Sequence, residues 1–125
     1  MDMIKIARRF FTALEVNDLE SAAALCADTF EGSQNGGPAM DRATLLTFTA
    51  AVHSLVPDFR YENAVRSETD RGFVEEHDVC GTLPDGSTFK LVVCVVGEVT
   101  DGKITTLREY VDTAAAAGLL KALRP

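Results

Sequence analysis

Apolar side chains recur with helical spacing along residues 3–15. Met3, Ile4, Ala7, Phe10, Phe11 and Leu14 fall on one stripe, while Lys5, Arg8, Arg9, Thr12 and Glu15 face away. The pattern predicts an amphipathic helix broken by Asn17 and Asp18, with Asp18 placed to cap a second helix over LESAAALCA. The apolar side of that helix is Leu19, Ala22, Ala23 and Cys26. A short strand is expected at Thr29, Phe30 and Glu31. The next stretch, GSQNGGPAM, reads as a loop because its glycines and proline oppose regular structure. It is not a phosphate cradle: Pro38 intervenes, and no lysine follows as a strand-to-helix phosphate loop requires. Asp41 then caps a third helix, RATLLTFTAAVHSL, with Leu45, Phe48, Val52 and Leu55 on one face and Pro57 as its stop. His53 neighbours that face, a position where a lone histidine packs or meets solvent.

Beyond Pro57 the period shortens to two. Residues 59–66 predict a strand with Phe59, Tyr61 and Ala64 inward, and the broken alternation at Asn63 fits a bulge. After a turn over residues 67–72, the stretch from Phe73 to Asp112 reads as three consecutive antiparallel strands joined by turns at Asp85-Gly86 and Asp101-Gly102. Its middle run, LVVCVV, is apolar on both sides, so both faces of that strand must be covered. Helices can cover only the concave face of so small a sheet. The convex face is therefore expected to pack on a second copy of the chain, giving a homodimer. Asp112 is placed to cap a last helix, TAAAAGLLKAL, whose Leu119, Leu120 and Leu123 dock the C-terminus.

Helices gathered first and strands later argue for an α+β fold in which one curved antiparallel sheet is covered by helices on one face. All 125 residues fit a single domain, 1–125. The interior of the cone that such a sheet encloses is the natural ligand site.

Composition narrows the partners. The chain is 46% apolar and 25% charged, with a net charge of −7 and no lysine or arginine run, which disfavours nucleic acid and anionic membrane surfaces. No apolar run reaches membrane-spanning length, and the N-terminus lacks the long apolar core and small-residue cleavage site of a signal peptide. Cys26, Cys80 and Cys94 lie among apolar residues without CxxC spacing, as buried free thiols of a reducing compartment do, so the expected location is cytoplasmic.

The candidate chemistry lies in the last three strands, in Glu76, Asp78 and Glu109. Set among valines and leucines they would be desolvated and mutually repelling, which raises at least one pKa and separates a general acid from a general base. His77 cannot join Asp78 on one metal ion, because adjacent strand residues point to opposite faces; no metal and no cofactor are expected. Whether the acids meet depends on the turns. A two-residue loop at Asp85-Gly86 sets Asp78 opposite Val93. A two-residue loop at Asp101-Gly102 sets Val93 opposite Tyr110, with Glu109 on the other side. A three-residue loop over Thr100, Asp101 and Gly102, with a glycine bulge, sets it opposite Glu109.

The element order, the start FFTALEVNDLESAAALCAD and the late DGKITTLREYVD resemble the nuclear transport factor 2-like superfamily, in particular its SnoaL-like and limonene-epoxide-hydrolase-like branch. The resemblance covers nearly the whole chain. It implies a cone-shaped curved antiparallel sheet covered by N-terminal helices (a cystatin-like α+β barrel) with a short C-terminal helix. It also implies a small-molecule pocket of the isomerase, cyclase or hydrolase kind, or a binding domain without catalysis. Against the epoxide hydrolases of that branch, Asp78 stands at the first acid and Glu109 at the second. Glu76 replaces the intervening arginine, and Phe30 and Gly32 replace the tyrosine and asparagine. Against the ketosteroid isomerases, Phe10 stands at the oxyanion tyrosine, Gly32 near the base, and Cys94 or Val95 near the protonated acid. The cyclases need one general acid/base in an apolar pocket, which Asp78 or Glu109 would supply.

The resemblance favours the three-residue loop at Gly102. The expectation carried forward is that Asp78, Val93 and Glu109 form one inward row, with Asp78 as base, Glu109 as acid and Glu76 as modulator. The expected lining of the pocket is Phe10, Leu14, Phe30, Phe48, Val52, Phe59, Val93 and Leu107. The acidic balance points to a neutral or cationic, largely apolar ligand.

Overall fold

The computed structural model describes residues 2–124. In chain order these form α1 (Met3–Glu15), α2 (Leu19–Ala24), β1 (Cys26–Gln34), α3 (Arg42–Leu55), β2 (Arg60–Glu68), β3 (Gly72–Thr82), β4 (Thr88–Thr100), β5 (Lys103–Val111) and α4 (Ala117–Leu123). The first three helices start as their aspartates dictate. Asp2, Asp18 and Asp41 accept the backbone N–H groups of Lys5, Ser21 and Thr44 at 3.0, 3.1 and 2.8 Å. Each such cap satisfies a backbone donor that the first turn of a helix leaves without a partner.

The five strands form one sheet in the order β1-β5-β4-β3-β2. The β5-β4-β3-β2 pairings are antiparallel, and β1 is added parallel to β5. β1 is longer than the short strand expected around Phe30. It runs on to Gln34 because Ser33 and Gln34 pair with Arg108 and Glu109, and Gly32 exchanges two backbone hydrogen bonds with Met40 at 2.9 and 2.7 Å. α4 is shorter than expected. Asp112 accepts the N–H of Ala114 at 2.9 Å and so caps the preceding turn, and the helix itself starts only after Ala116 without a side-chain cap.

α1 lies on the concave face with Ile6, Ala7, Phe10, Phe11, Ala13 and Leu14 buried against the sheet. The core beneath it is centred on Phe10, Phe73, Ile104, Val56 and Val93, all essentially inaccessible to solvent. Close approach needs Gly97: a Cβ there would lie 2.3 Å from Cζ of Phe73, so this glycine makes room for the ring that crosses it. His53 packs, as its position suggested. Its Nε2 lies 2.7 Å from the carbonyl of Leu14 and its ring stacks edge-on to Phe59, tying α3 to α1 and to the residue that leads into β2.

The register overturns the expected row of acids. Leu83-Pro84-Asp85-Gly86 is a tight turn with the N–H of Gly86 donating to the carbonyl of Leu83 at 2.9 Å, and Gly86 is left-handed (φ 87°). Thr82 faces Thr88, so the hairpin is one residue longer than a two-residue loop would make it. Asp78 consequently faces Val92, and His77 faces Val93. A one-residue shift moves a whole strand's side chains to the other face. The inward row of β3 is Phe73, Glu75, His77 and Val79, beside Leu91, Val93 and Val95 of β4. Val74, Glu76, Asp78 and Cys80 point to the convex side.

The second turn also differs. Asp101 and Gly102 both have positive φ (52° and 77°), which is a two-residue turn closed by Thr100 and Lys103. A bulge follows at Thr105, between the Val99–Ile104 and Glu98–Thr106 pairs. That extra residue restores the inward orientation of Glu109, now opposite Val95, with Val93 opposite Val111.

Cys26 and Cys80 are buried and Cys94 partly so, and all three thiols are free. Among the described residues, no helix is long and apolar enough to cross a membrane.

Candidate functional site

Between the concave face of the sheet and helices α1, α3 and α4 lies a cavity of about 210 Å³. Seven of the eight residues expected to line it do so: Phe10, Leu14, Phe30, Phe48, Val52, Phe59 and Leu107. Val93 does not border it, being buried in the core at the base of the sheet. The large phenylalanines surround the space without filling it. Phe48 is 43% exposed and so marks the mouth.

The polar groups are gathered on the sheet wall. Tyr61 of β2, His77 of β3, Glu109 of β5 and Gln34 at the end of β1 all reach the cavity. Behind them Glu75, 0% exposed, is held from two sides. Arg66 on β2, its register partner, donates from Nε to Oε1 of Glu75, and Nδ1 of His77 lies 2.6 Å from Oε2. A carboxylate accepts, so Nδ1 carries the proton in that bond, and Nε2 is the ring nitrogen left for the cavity. The His77 ring is clamped as well, 4.3 Å from the Tyr61 ring and 5.1 Å from that of Phe11 between centroids. Arg66, Glu75 and His77 thus fix one tautomer and one orientation.

Glu109 stands two strands from Glu75, with Val95 between them. Nε2 of Gln34 donates to its Oε1 at 3.4 Å. Burial raises the Glu109 pKa above the usual glutamate value, opposed by the Gln34 hydrogen bond and the nearby His77. The Tyr61 phenol is pushed up by burial first, then by Glu109, Glu75 and Glu15, and stays protonated across the neutral range. The wall therefore presents an oriented imidazole, a carboxyl biased toward its neutral form and a phenol.

Of the acids singled out in the sequence, only Glu109 is at this wall. Asp78 lies on the convex side, where Nδ2 of Asn63 donates to it at 2.8 Å and Nζ of Lys90 lies 3.5 Å away. The Asn63 bond, with Lys90 and His77, outweighs burial and holds its pKa below the ordinary aspartate value, the signature of an anchored anion. Glu76 is exposed on the same side, opposite Cys94 and Val65. Neither meets Glu109, because the Pro84 turn sets β3 one residue away from the expected register. Glu75, His77, Tyr61 and Gln34 were not singled out for chemistry. The signal that identifies the first two is Pro84 itself, which favours the first central position of a type I turn and leaves Gly86 as the left-handed third loop residue.

A family model described as SnoaL-like domain matches residues 7–107. No curated protein matches the sequence. Solved structures are similar over nearly the whole chain. A candidate polyketide cyclase from Xanthomonas campestris pv. campestris is 19% identical, with a TM-score of 0.81 over 98% of this chain and 96% of that one. IdmH, a candidate polyketide cyclase from Streptomyces antibioticus, is 18% identical, with a TM-score of 0.83 over 97% and 99%. An epoxide hydrolase of the limonene-epoxide-hydrolase type from M. tuberculosis is 23% identical, with a TM-score of 0.77 over 97% and 91%. At these identities the likeness concerns the fold.

Proposed function

This chain belongs to the SnoaL-like domain family, and on that premise we propose that its cavity transfers protons on an uncharged, largely apolar small molecule, with His77 as base and Glu109 as acid. The carrying observation is that the cavity is lined by one imidazole whose tautomer is set by Glu75 and one carboxyl raised by burial. A base held in one orientation and an acid whose carboxyl is desolvated, on one apolar wall, suit enolisation of a carbonyl compound.

In that reaction Nε2 of His77 takes a proton from the carbon next to a carbonyl. The C–H electron pair becomes the new C=C bond, and the carbonyl oxygen takes the proton of Glu109. An enol conjugated to a further C=C regains a proton at the far carbon from the His77 imidazolium, which is isomerisation; alternatively the enol carbon attacks a second carbonyl, which closes a ring, and that carbonyl's oxygen takes the His77 proton. Glu109 recovers its proton when the carbonyl re-forms. Glu75 and Arg66 act through His77: the carboxylate stabilises the imidazolium and the guanidinium holds that carboxylate in place. Every group in the cycle belongs to the chain.

The test is hydrogen–deuterium exchange at the α-carbon of small ketones in D2O, followed by proton NMR. Wild type should exchange faster than buffer, and His77→Gln and Glu109→Gln should each lose about a hundredfold or more of that excess. Ketones that bind without accelerated exchange would support the alternative, a binding domain without catalysis.

The convex face supports a homodimer as the working assembly. Val65, Val92 and Tyr110 are 60%, 68% and 44% exposed there, flanked by the partly buried Val74, Cys94 and Val96. An apolar sheet face of this kind is costly in water and is covered by a second copy in our reading. The three free thiols fit a reducing, cytoplasmic setting.

A further inference from the structure

We infer that the substrate of this cavity is an uncharged carbonyl compound with a single ring or an open chain, about ten non-hydrogen atoms in size, and not a fused polycyclic skeleton. The inference rests on the proton-transfer reading of His77 and Glu109 and adds the size and polarity of what they act on.

Volume sets the size. The cavity holds about 210 Å³. Sites for drug-sized ligands span roughly 300–1,000 Å³, and an apolar void of about 150 Å³ takes one benzene ring. The space therefore accommodates one ring with a few substituents. Its walls are poorly placed to dilate. Phe10 and Phe11 pack edge-to-face at 5.3 Å, Phe11 and Tyr61 at 5.8 Å, and Phe11 and Phe73 at 6.3 Å. Moving one ring of that chain disturbs the next, and close-packed interiors resist such expansion.

Polarity sets the chemistry. Among the described residues no lysine or arginine lines the cavity, and the guanidinium of Arg66 is committed to Glu75. A carboxylate or phosphate on the ligand would enter beside Glu109 with no compensating cation. On the helical side the lining is phenylalanine, leucine, valine and Ala116, with Met40 just ahead of α3, apart from Thr49, whose hydroxyl already donates to the Leu45 carbonyl at 3.0 Å. Only the sheet wall offers hydrogen-bonding groups, so the ligand carries its polar atoms at one end. An acidic C–H beside a carbonyl meets His77 and Glu109 there, and the remainder is hydrocarbon.

The experiment compares cyclohexanone, a bicyclic decalone, a tetracyclic steroid ketone and cyclohexanecarboxylate. Binding is measured by calorimetry, and α-exchange on the three ketones by NMR, with wild type and Glu109→Gln. Cyclohexanone should bind at least as tightly as the decalone and at least about tenfold more tightly than the steroid, and the carboxylate should bind at least about tenfold more weakly than cyclohexanone. The size order should persist in Glu109→Gln. Steroid binding as tight as that of the smaller ketones, tight carboxylate binding, or no ketone binding at all overturns the inference. Selective binding of the small ketones without accelerated exchange leaves the size assignment standing and removes the proton-transfer reading. Exchange on the steroid as fast as on cyclohexanone does the reverse.

Discussion

The side-chain amide of Asn35 pairs with the backbone of Val111 as though it were another peptide unit. Its Nδ2 donates to the Val111 carbonyl at 2.9 Å and its Oδ1 accepts the Val111 N–H at 3.0 Å. The Asn35 N–H also donates to the Glu109 carbonyl at 2.8 Å, and the residue sits at φ 51°, a conformation asparagine tolerates better than most. β1 thus stays locked to β5 past its last regular residue, and Gln34 is held beside the Glu109 carboxyl. Asn35→Asp keeps the shape but replaces a donor with a carboxylate oxygen facing a carbonyl. It should cost about 0.5–1.5 kcal/mol in urea unfolding. A variant within a few tenths of wild type would mean that the pair is incidental.

Glu75 is the least replaceable polar residue in the sheet. Fully buried between Arg66 and His77, it cannot be removed without leaving a partly buried guanidinium unpaired. Glu75→Ala should destabilise by about 3–5 kcal/mol, while a double change of Glu75 and Arg66 to apolar residues should recover part of that loss. Chemical denaturation of the single and double variants measures the coupling. Strict additivity would contradict the three-residue arrangement.

Glu109 gives stability a particular pH slope. Its folded pKa lies above the ordinary value of 4.5, so the folded state holds this proton more tightly than the unfolded chain does. As pH rises from the ordinary value through the raised one, the folded state must ionise a desolvated carboxyl and loses stability. Glu109→Gln removes that term. The variant should therefore gain on wild type as pH rises above the ordinary value of 4.5. Asp78, lowered by Asn63 and Lys90, has the opposite sign: its contribution is present above the ordinary aspartate value and disappears as pH falls through the lowered one. Asp78→Asn should lose most, relative to wild type, at neutral pH. Thermal unfolding as a function of pH separates the two.

The convex face should respond to charge. Val92→Glu together with Tyr110→Glu places carboxylates on a surface that a twofold axis would set against its own copy. Sedimentation should then report monomer, with wild type a dimer and cyclohexanone binding unchanged. A monomeric wild type would remove the dimer proposal.

Much of the fold was legible because its signals are local. Asp18 and Asp41 start helices through their own side chains, α1 declares its buried stripe by spacing, and Asn63 marks a bulge that the structure places between Glu62 and Val65. Most of the cavity's apolar lining followed from those stripes. The inward acid and base of β3 did not, because that strand alternates ambiguously. Phe73, Glu75, His77 and Val79 on one side are no more apolar than Val74, Glu76, Asp78 and Cys80 on the other. Hydrophobic pattern cannot choose between such faces, so the turn chooses, and Pro84 distinguishes two Asp-Gly turns that otherwise look alike. The correct face for Glu109 arose from a bulge at Thr105 and not from the glycine turn expected to produce it.

Pairing of β1 with β5 joins residues about 75 positions apart, as Gln34 and Glu109 are. Such a contact closes a long loop, and its closing entropy is met before the contact rewards it. On a ribosome the first edge strand would wait, unpaired, until nearly the entire chain had emerged. The helices and the β2-β3-β4 meander can organise earlier, but the carboxyl wall of the cavity is assembled in the last step. A chain stalled before β5 would expose both an open sheet edge and the aromatic interior, which makes it a natural client for a chaperone.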